Sequence, residues 1–106
     1  MRSDKTYYND LLDWYGELLT EHQREILEEY YGEDLSMNEI AENYEISKAA
    51  VSDLIRRSAA QLEHFESVLH CIENHEALER VIHDMNNERN ELVSRYAERI
   101  DKINRG

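Results

Sequence analysis

Three cations, Lys48, Arg56 and Arg57, fall within ten residues of one another and follow Ser47, a residue type that caps helices by accepting a backbone N–H. On a helix starting at Ser47, side chains Lys48, Ala49, Ser52, Asp53 and Arg56 face outward, and the first-turn amides add partial positive charge that suits phosphate. Residues 47–57 carry three basic side chains and one acidic. Residues 1–46 carry three and thirteen, and residues 58–106 six and ten. Of these three segments only residues 47–57 are net basic, and their chemistry is that of polyanion contact. Ser47, Lys48, Ala49, Ser52, Arg56 and Arg57 are the expected nucleic-acid-binding residues. Only Lys48 and Arg56 have the reach for a guanine edge, and Asp53 either repels phosphate or accepts from cytosine. Recognition is thus expected to follow shape and phosphates, as for a structured RNA or loosely read DNA. The competing reading is that the three cations only pair with surrounding acids.

Other chemistry is less complete. Cys71 and His75 share a helical face, with His70 beside them and His83 two turns on, but no second ligand pair finishes a tetrahedron, so no metal is expected. Cys71 has no oxyanion loop around it, which speaks against a nucleophile and, with the rest, against an enzyme. Glu28, Glu29, Glu33 and Asp34 lack calcium-loop spacing and read as a solvated helix end. Trp14, Tyr8, Tyr15, Tyr30 and Tyr31 recur at helical spacing and read as core.

The elements that position these residues are helical throughout. Zero prolines and three glycines disfavour a turn-rich β fold. Tyr8, Leu11, Leu12, Tyr15, Leu18 and Leu19 define a first amphipathic helix over residues 5–19. Thr20 and Gln23 form a capping box for a second, with stripe Ile26, Leu27, Tyr30 and Tyr31, ending at Gly32 in a left-handed cap. Ser36 and Glu39 form another box before Ile40, Ala41 and Tyr44. After Ser47, an apolar stripe from Val51 to Ile72 predicts a helix of about 25 residues. Leu78, Ile82, Met85, Leu92, Tyr96 and Ile103 then read as a broken heptad, with Arg89 as a polar register position. Whether the chain is recapped at Asn74 or runs straight on is open. The expected fold is an all-α helical bundle: a domain over 1–73 containing the helix-turn-helix, and a helical extension over 74–106 for packing or dimerisation.

The net charge of −12 repels nucleic acid on average, so any such site must be local. A single cysteine makes no internal disulfide, and no apolar run approaches a bilayer span, so a cytoplasmic protein without a signal peptide or membrane insertion is expected.

Residues 37–57 fit a helix-turn-helix. Ala41 is the small residue at the close approach, Ile40, Tyr44, Ile46, Val51 and Leu54 hold buried offsets, and Ser47 caps the second helix. Glu45 stands where the turn often carries glycine, requiring a left-handed glutamate or altered turn geometry. The string Leu11-Leu12-Asp13-Trp14-Tyr15-Gly16-Glu17-Leu18-Leu19-Thr20, with Gln23, Tyr30-Tyr31, Asp34-Leu35-Ser36, Glu39-Ile40-Ala41-Glu42, Ile46-Ser47, Ala50-Val51, Asp53, Ile55-Arg56-Arg57 and Leu62-Glu63, resembles the bacterial YlxM family over about residues 8–72. That resemblance implies a sigma-factor region-four-like helix-turn-helix, a non-enzymatic homodimer, and association with the signal recognition particle, its GTPase and its small RNA. Where the family pattern has a basic-glutamine pair and then a tyrosine, this chain has Lys48-Ala49 and Ser52, so base stacking by that tyrosine is lost. Three functions follow: a regulatory nucleic-acid binder, an adaptor whose acidic surface binds the particle's GTPase without nucleic acid, or a sigma-factor-like transcriptional regulator.

Overall fold

A computed structural model describes residues 4–106, all of whose regular elements are helical, in two compact units, 4–69 and 70–106. The first unit contains α1 (Asp4–Tyr15), α2 (Glu21–Leu27), α3 (Met37–Tyr44) and α4 (Lys48–Leu69). On α4, Val51, Ile55, Ser58, Ala59 and Leu62 are buried at helical spacing. They form the floor on which α1, α2 and α3 lay Leu11, Leu12, Tyr15, Ile26, Leu27, Ile40 and Ala41. Burial of such side chains stabilises by about 1.5–3 kcal/mol each relative to exposure, so this stripe dominates the unit's stability.

Local chemistry sets the boundaries. Helix α1 stops at Tyr15 rather than Leu19, because Gly16–Leu18 tighten into a 3₁₀ turn closed by the Leu19 N–H on the Gly16 carbonyl at 3.1 Å. Both capping boxes form: Thr20 with Gln23 starts α2, and Ser36 with Glu39 starts α3. After Leu27 the backbone widens into a π turn, Glu28–Gly32, and the carbonyl of Tyr31 accepts from Asn9 Nδ2 at 2.9 Å. The left-handed residue here is Asp34 (φ 60°), which is ion-paired to Lys5, and not the expected Gly32. The wide turn carries the chain beyond Gly32 before reversing it.

Of the five aromatic residues read as core, only Tyr15 is buried. Trp14 is 44% exposed, while Tyr8, Tyr30 and Tyr31 are half-buried and pack on one another, with ring centroids at 4.8 Å (Tyr8–Tyr31) and 4.9 Å (Tyr30–Tyr31). Tyrosine suits such a boundary because its ring packs while its hydroxyl stays polar. Tyr8 and Tyr15 donate their hydroxyls to Glu63 and Glu66 of α4.

The second unit consists of α5 (Cys71–Asn87) and α6 (Glu91–Asn104). The long helix expected to reach Ile72 ends at Leu69, and His70 adopts a left-handed conformation (φ 54°) before α5. The stripe from Leu78 to Ile103 is not one helix. Asn90 caps α6 by accepting from the Leu92 and Val93 amides at 2.9 and 3.2 Å, and Glu88-Arg89-Asn90 becomes a connector. Arg89 therefore sits outside any heptad seam. The two helices form an antiparallel hairpin around Ile72, Ile82 and Ala97. Its open end is tied where Asn104 Nδ2 donates to the His75 carbonyl at 3.1 Å and the His75 Nδ1 lies 3.2 Å from the Asn104 carbonyl. Leu78 and Val81 on α5, and Leu92, Tyr96 and Ile103 on α6, remain exposed, with the Arg99 guanidinium 5.6 Å from the Tyr96 ring centre.

Candidate nucleic-acid interface

Helices α3 and α4 form the helix-turn-helix. Ile40 and Val51 are fully buried across it, Ala41 lies between the helices, and Tyr44, Ile46 and Leu54 are half-buried around them. The turn is made by Glu45 in the left-handed region (φ 56°), whose N–H reaches back to the α3 carbonyls, with the Ile46 N–H on the Ala41 carbonyl at 3.1 Å. Glu45 thus does what glycine does more cheaply at this position. Ser47 Oγ accepts the Ala50 N–H at 3.0 Å, which fixes the start of α4.

Ser47, at the cap of α4, and Lys48, Ala49, Ser52, Arg56 and Arg57, on its first half, are all exposed. Their charges are not equivalent. Lys48 makes no ion pair among the described residues. Arg56 and Arg57 both donate to Asp53, Nη2 to Oδ1 at 2.6 Å and Nη1 to Oδ2 at 3.3 Å respectively. The Arg57 and Arg56 guanidiniums hold the Asp53 carboxyl below the usual carboxylate range. Asp53 engages the two arginines, which keep 75% and 73% of their side-chain surface exposed. The helix is left with a net surplus of cation at its N-terminal half.

Beside it, a groove of about 300 Å³ between α2 and α4 is lined by Gln23, Ala50, Asp53, Leu54, Arg57 and Ser58. Gln23 both caps α2 and donates through Nε2 to Gln61 Oε1 at 2.8 Å, fastening the two helices at the groove's edge. Sequence reading saw Gln23 only as a cap, because its second partner lies 38 residues away. On the flank of α3, burial and then the adjacent Glu29 carboxylate push the Tyr44 hydroxyl up to about 12.

No three histidine, cysteine or acidic side chains gather as metal ligands among the described residues. The ring of His75 is engaged on both nitrogens, by the Asn104 carbonyl and by Glu79 at 2.9 Å from Nε2. None of the described helices is long and apolar enough to cross a membrane.

Residues 3–103 match the UPF0122 family, helix-turn-helix proteins described as YlxM / p13 like. The chain belongs to that family. Relatives include UPF0122 proteins of Latilactobacillus sakei (48% identical over 64% of this chain and 60% of the relative) and Lacticaseibacillus casei (45%, over 73% and 69%). Another, from Shouchella clausii, is 49% identical over 69% of this chain and 68% of its own length. The aligned stretch thus spans less than two thirds of the first relative. A helix-turn-helix in an all-α chain is what family and fold share.

Proposed function

We propose that this chain is a non-enzymatic regulatory protein that binds structured RNA or DNA through phosphate contacts from Ser47, Lys48, Ala49, Ser52, Arg56 and Arg57. The observation carrying this reading is that residues 47–57, a net-basic stretch of a −12 chain, present their three cations exposed on the second helix of a helix-turn-helix. Such a helix is the element that enters a groove in this motif. The short side chains of Ala49 and Ser52 leave few base-reading groups, which favours shape and backbone recognition. The resemblance to the YlxM family supports placing this activity with the signal recognition particle in the cytoplasm.

A homodimer built on the hairpin's exposed residues, Leu78, Val81, Leu92, Tyr96 and Ile103, fits this function because it doubles the phosphate contacts. The hairpin has only Ile72, Ile82 and Ala97 buried, a small core for 37 residues, and chains below about 40 residues usually need further support.

The test is anisotropy titration of a structured RNA hairpin and a DNA duplex with the Lys48→Glu/Arg56→Glu/Arg57→Glu chain. Loss of binding with helicity and assembly intact supports the reading, and unchanged affinity overturns it. A second reading rests on the thirteen acids of residues 1–46: an adaptor binding the basic surface of the particle's GTPase. Its mark is tight GTPase binding without RNA, weakened by neutralising those acids. A sigma-factor-like regulator instead requires a preferred duplex sequence, which selection from a random pool would return.

A further inference from the structure

Asp53 is the only acidic side chain of residues 47–57, and its two carboxylate oxygens are divided between two guanidiniums. One anion bridging two arginines through separate oxygens reproduces how a phosphodiester presents its two non-bridging oxygens to an arginine pair. Folding does not require this bridge. All three side chains are solvent-exposed and lie on one turn of one helix, where such pairs contribute little. The bridge also stands at the mouth of the α2–α4 groove, which Asp53 and Arg57 line together with Ser58. Ser58 is fully buried, and its hydroxyl oxygen has no hydrogen-bond partner among the described residues.

We propose that Arg56 and Arg57 form a phosphodiester seat that Asp53 fills in the free protein, so that nucleic acid binds by displacing an intramolecular carboxylate. This rests on the reading that α4 meets nucleic acid, and names the ligand group at that site and what opposes it. The exchange is one anion for another on the same donors, with no bond made or broken beyond hydrogen bonds. Because the carboxylate is held on the same helix, its effective concentration is high and a lone phosphate competes poorly. A backbone that also engages Lys48, about 12 Å up the helix by rise per residue, is anchored at two points and competes well. Asp53 therefore selects for an extended polyanion over mononucleotides or inorganic phosphate.

The experiment measures RNA-hairpin and DNA-duplex affinity for the wild type, Asp53→Asn and Asp53→Ala, the last being a strong helix former, with helicity checked by circular dichroism. Removal of the carboxylate is expected to tighten binding about three- to tenfold near 0.1 M salt, the effect of one unit charge on the nearest phosphates in water. It should also steepen the salt dependence. Asp53→Glu, which keeps an anion within reach of both arginines, should stay near wild type. Asp13→Asn, an equal charge change on the exposed face of α1, should move affinity less than twofold. Wild-type binding that is unchanged or weakened in both Asp53 variants overturns the proposal while leaving the nucleic-acid reading standing. So does a matching gain from Asp13→Asn, since that is a bulk charge effect. Millimolar inorganic phosphate binding as tightly to wild type as to Asp53→Ala also overturns it. Absence of binding by every variant removes the nucleic-acid reading and this proposal together.

Discussion

Lys48→Gln isolates the one basic side chain of residues 47–57 that makes no ion pair among the described residues. With nothing in the protein to release, its loss reads out as one phosphate contact. Each neutralised duplex phosphate contributes about −0.9 to the slope of log affinity against log salt. Three contacts from one protomer, counted in full with no reduction for Asp53, give a limiting slope of about −2.7, and an affinity loss of at most about 40-fold between 50 and 200 mM salt. Lys48→Gln lowers that loss to about 12-fold. A two-fold dimer seated on both patches starts from six contacts, about a thousandfold or more over the same range, and falls to about 150-fold in the variant. Fluorescence anisotropy at five or six salt concentrations, with protein concentration varied across the dimerisation range, distinguishes the cases. A variant that binds more weakly but keeps the wild-type slope would refute the reasoning, since Lys48 would then act through something other than phosphate charge.

Three further outcomes follow from the same structure. Glu45→Gly, at φ 56°, removes the left-handed penalty of about 1–2 kcal/mol while adding a smaller glycine entropy cost, so the chain should gain about 0.5–1 kcal/mol, several degrees in Tm by calorimetry. A lower Tm would mean the Glu45 side chain itself holds the turn. Leu62→Ala, at a fully buried position on α4, should cost about 2–5 kcal/mol in urea unfolding, and a loss below 1 kcal/mol would show that the α4 floor is not the core of this unit. Tyr44 has a folded pKa raised from 10.0 to about 12, so its contribution is fully present below pH 10 and lost as pH rises toward 12. Tyr44→Phe should lose less urea stability than wild type over that window, and parallel curves would show that the hydroxyl is not so held.

Much of the fold is legible because its signals are short-range. The pairs Thr20–Gln23 and Ser36–Glu39 need only each other's backbone, and Ser47 needs only Ala50, so these starts can be read from three-residue spacing. Helix ends are harder. Apart from the C-terminal Gly106, the left-handed residues are Asp34, Glu45 and His70, none of them glycine, so composition points to Gly32 while tertiary packing and the π turn choose Asp34. The break between α5 and α6 is hidden because the apolar period continues across it. Only the competition won by the Asn90 side chain for the Leu92 and Val93 amides reveals it. In the candidate site, residue types and exposure follow from the sequence, but the division of Asp53 between two arginines depends on rotamers. The Gln23–Gln61 link depends on the approach of α2 to α4, which no local pattern encodes.

The acidity of the chain and its proposed ligand are compatible because charge acts over a screened range. Near 0.1 M salt the Debye length is about 10 Å, so a phosphate on Lys48 and Arg56 feels charges within that range far more than acids farther away. Within that radius Glu45 and Asp53 are the anions contributed by residues 45–57, against three cations. At 0.01 M the range grows to about 30 Å and the remaining negative charge acts on the approaching polyanion. The two regimes pull the kinetics apart: dissociation slows steadily as salt is removed, whereas association should pass through a maximum and then fall as long-range repulsion takes over. Stopped-flow association rates that climb without limit down to 0.01 M would mean that the ligand approaches along a path the acidic surface does not face. The cationic end of α4 would then project clear of the rest of the chain's field.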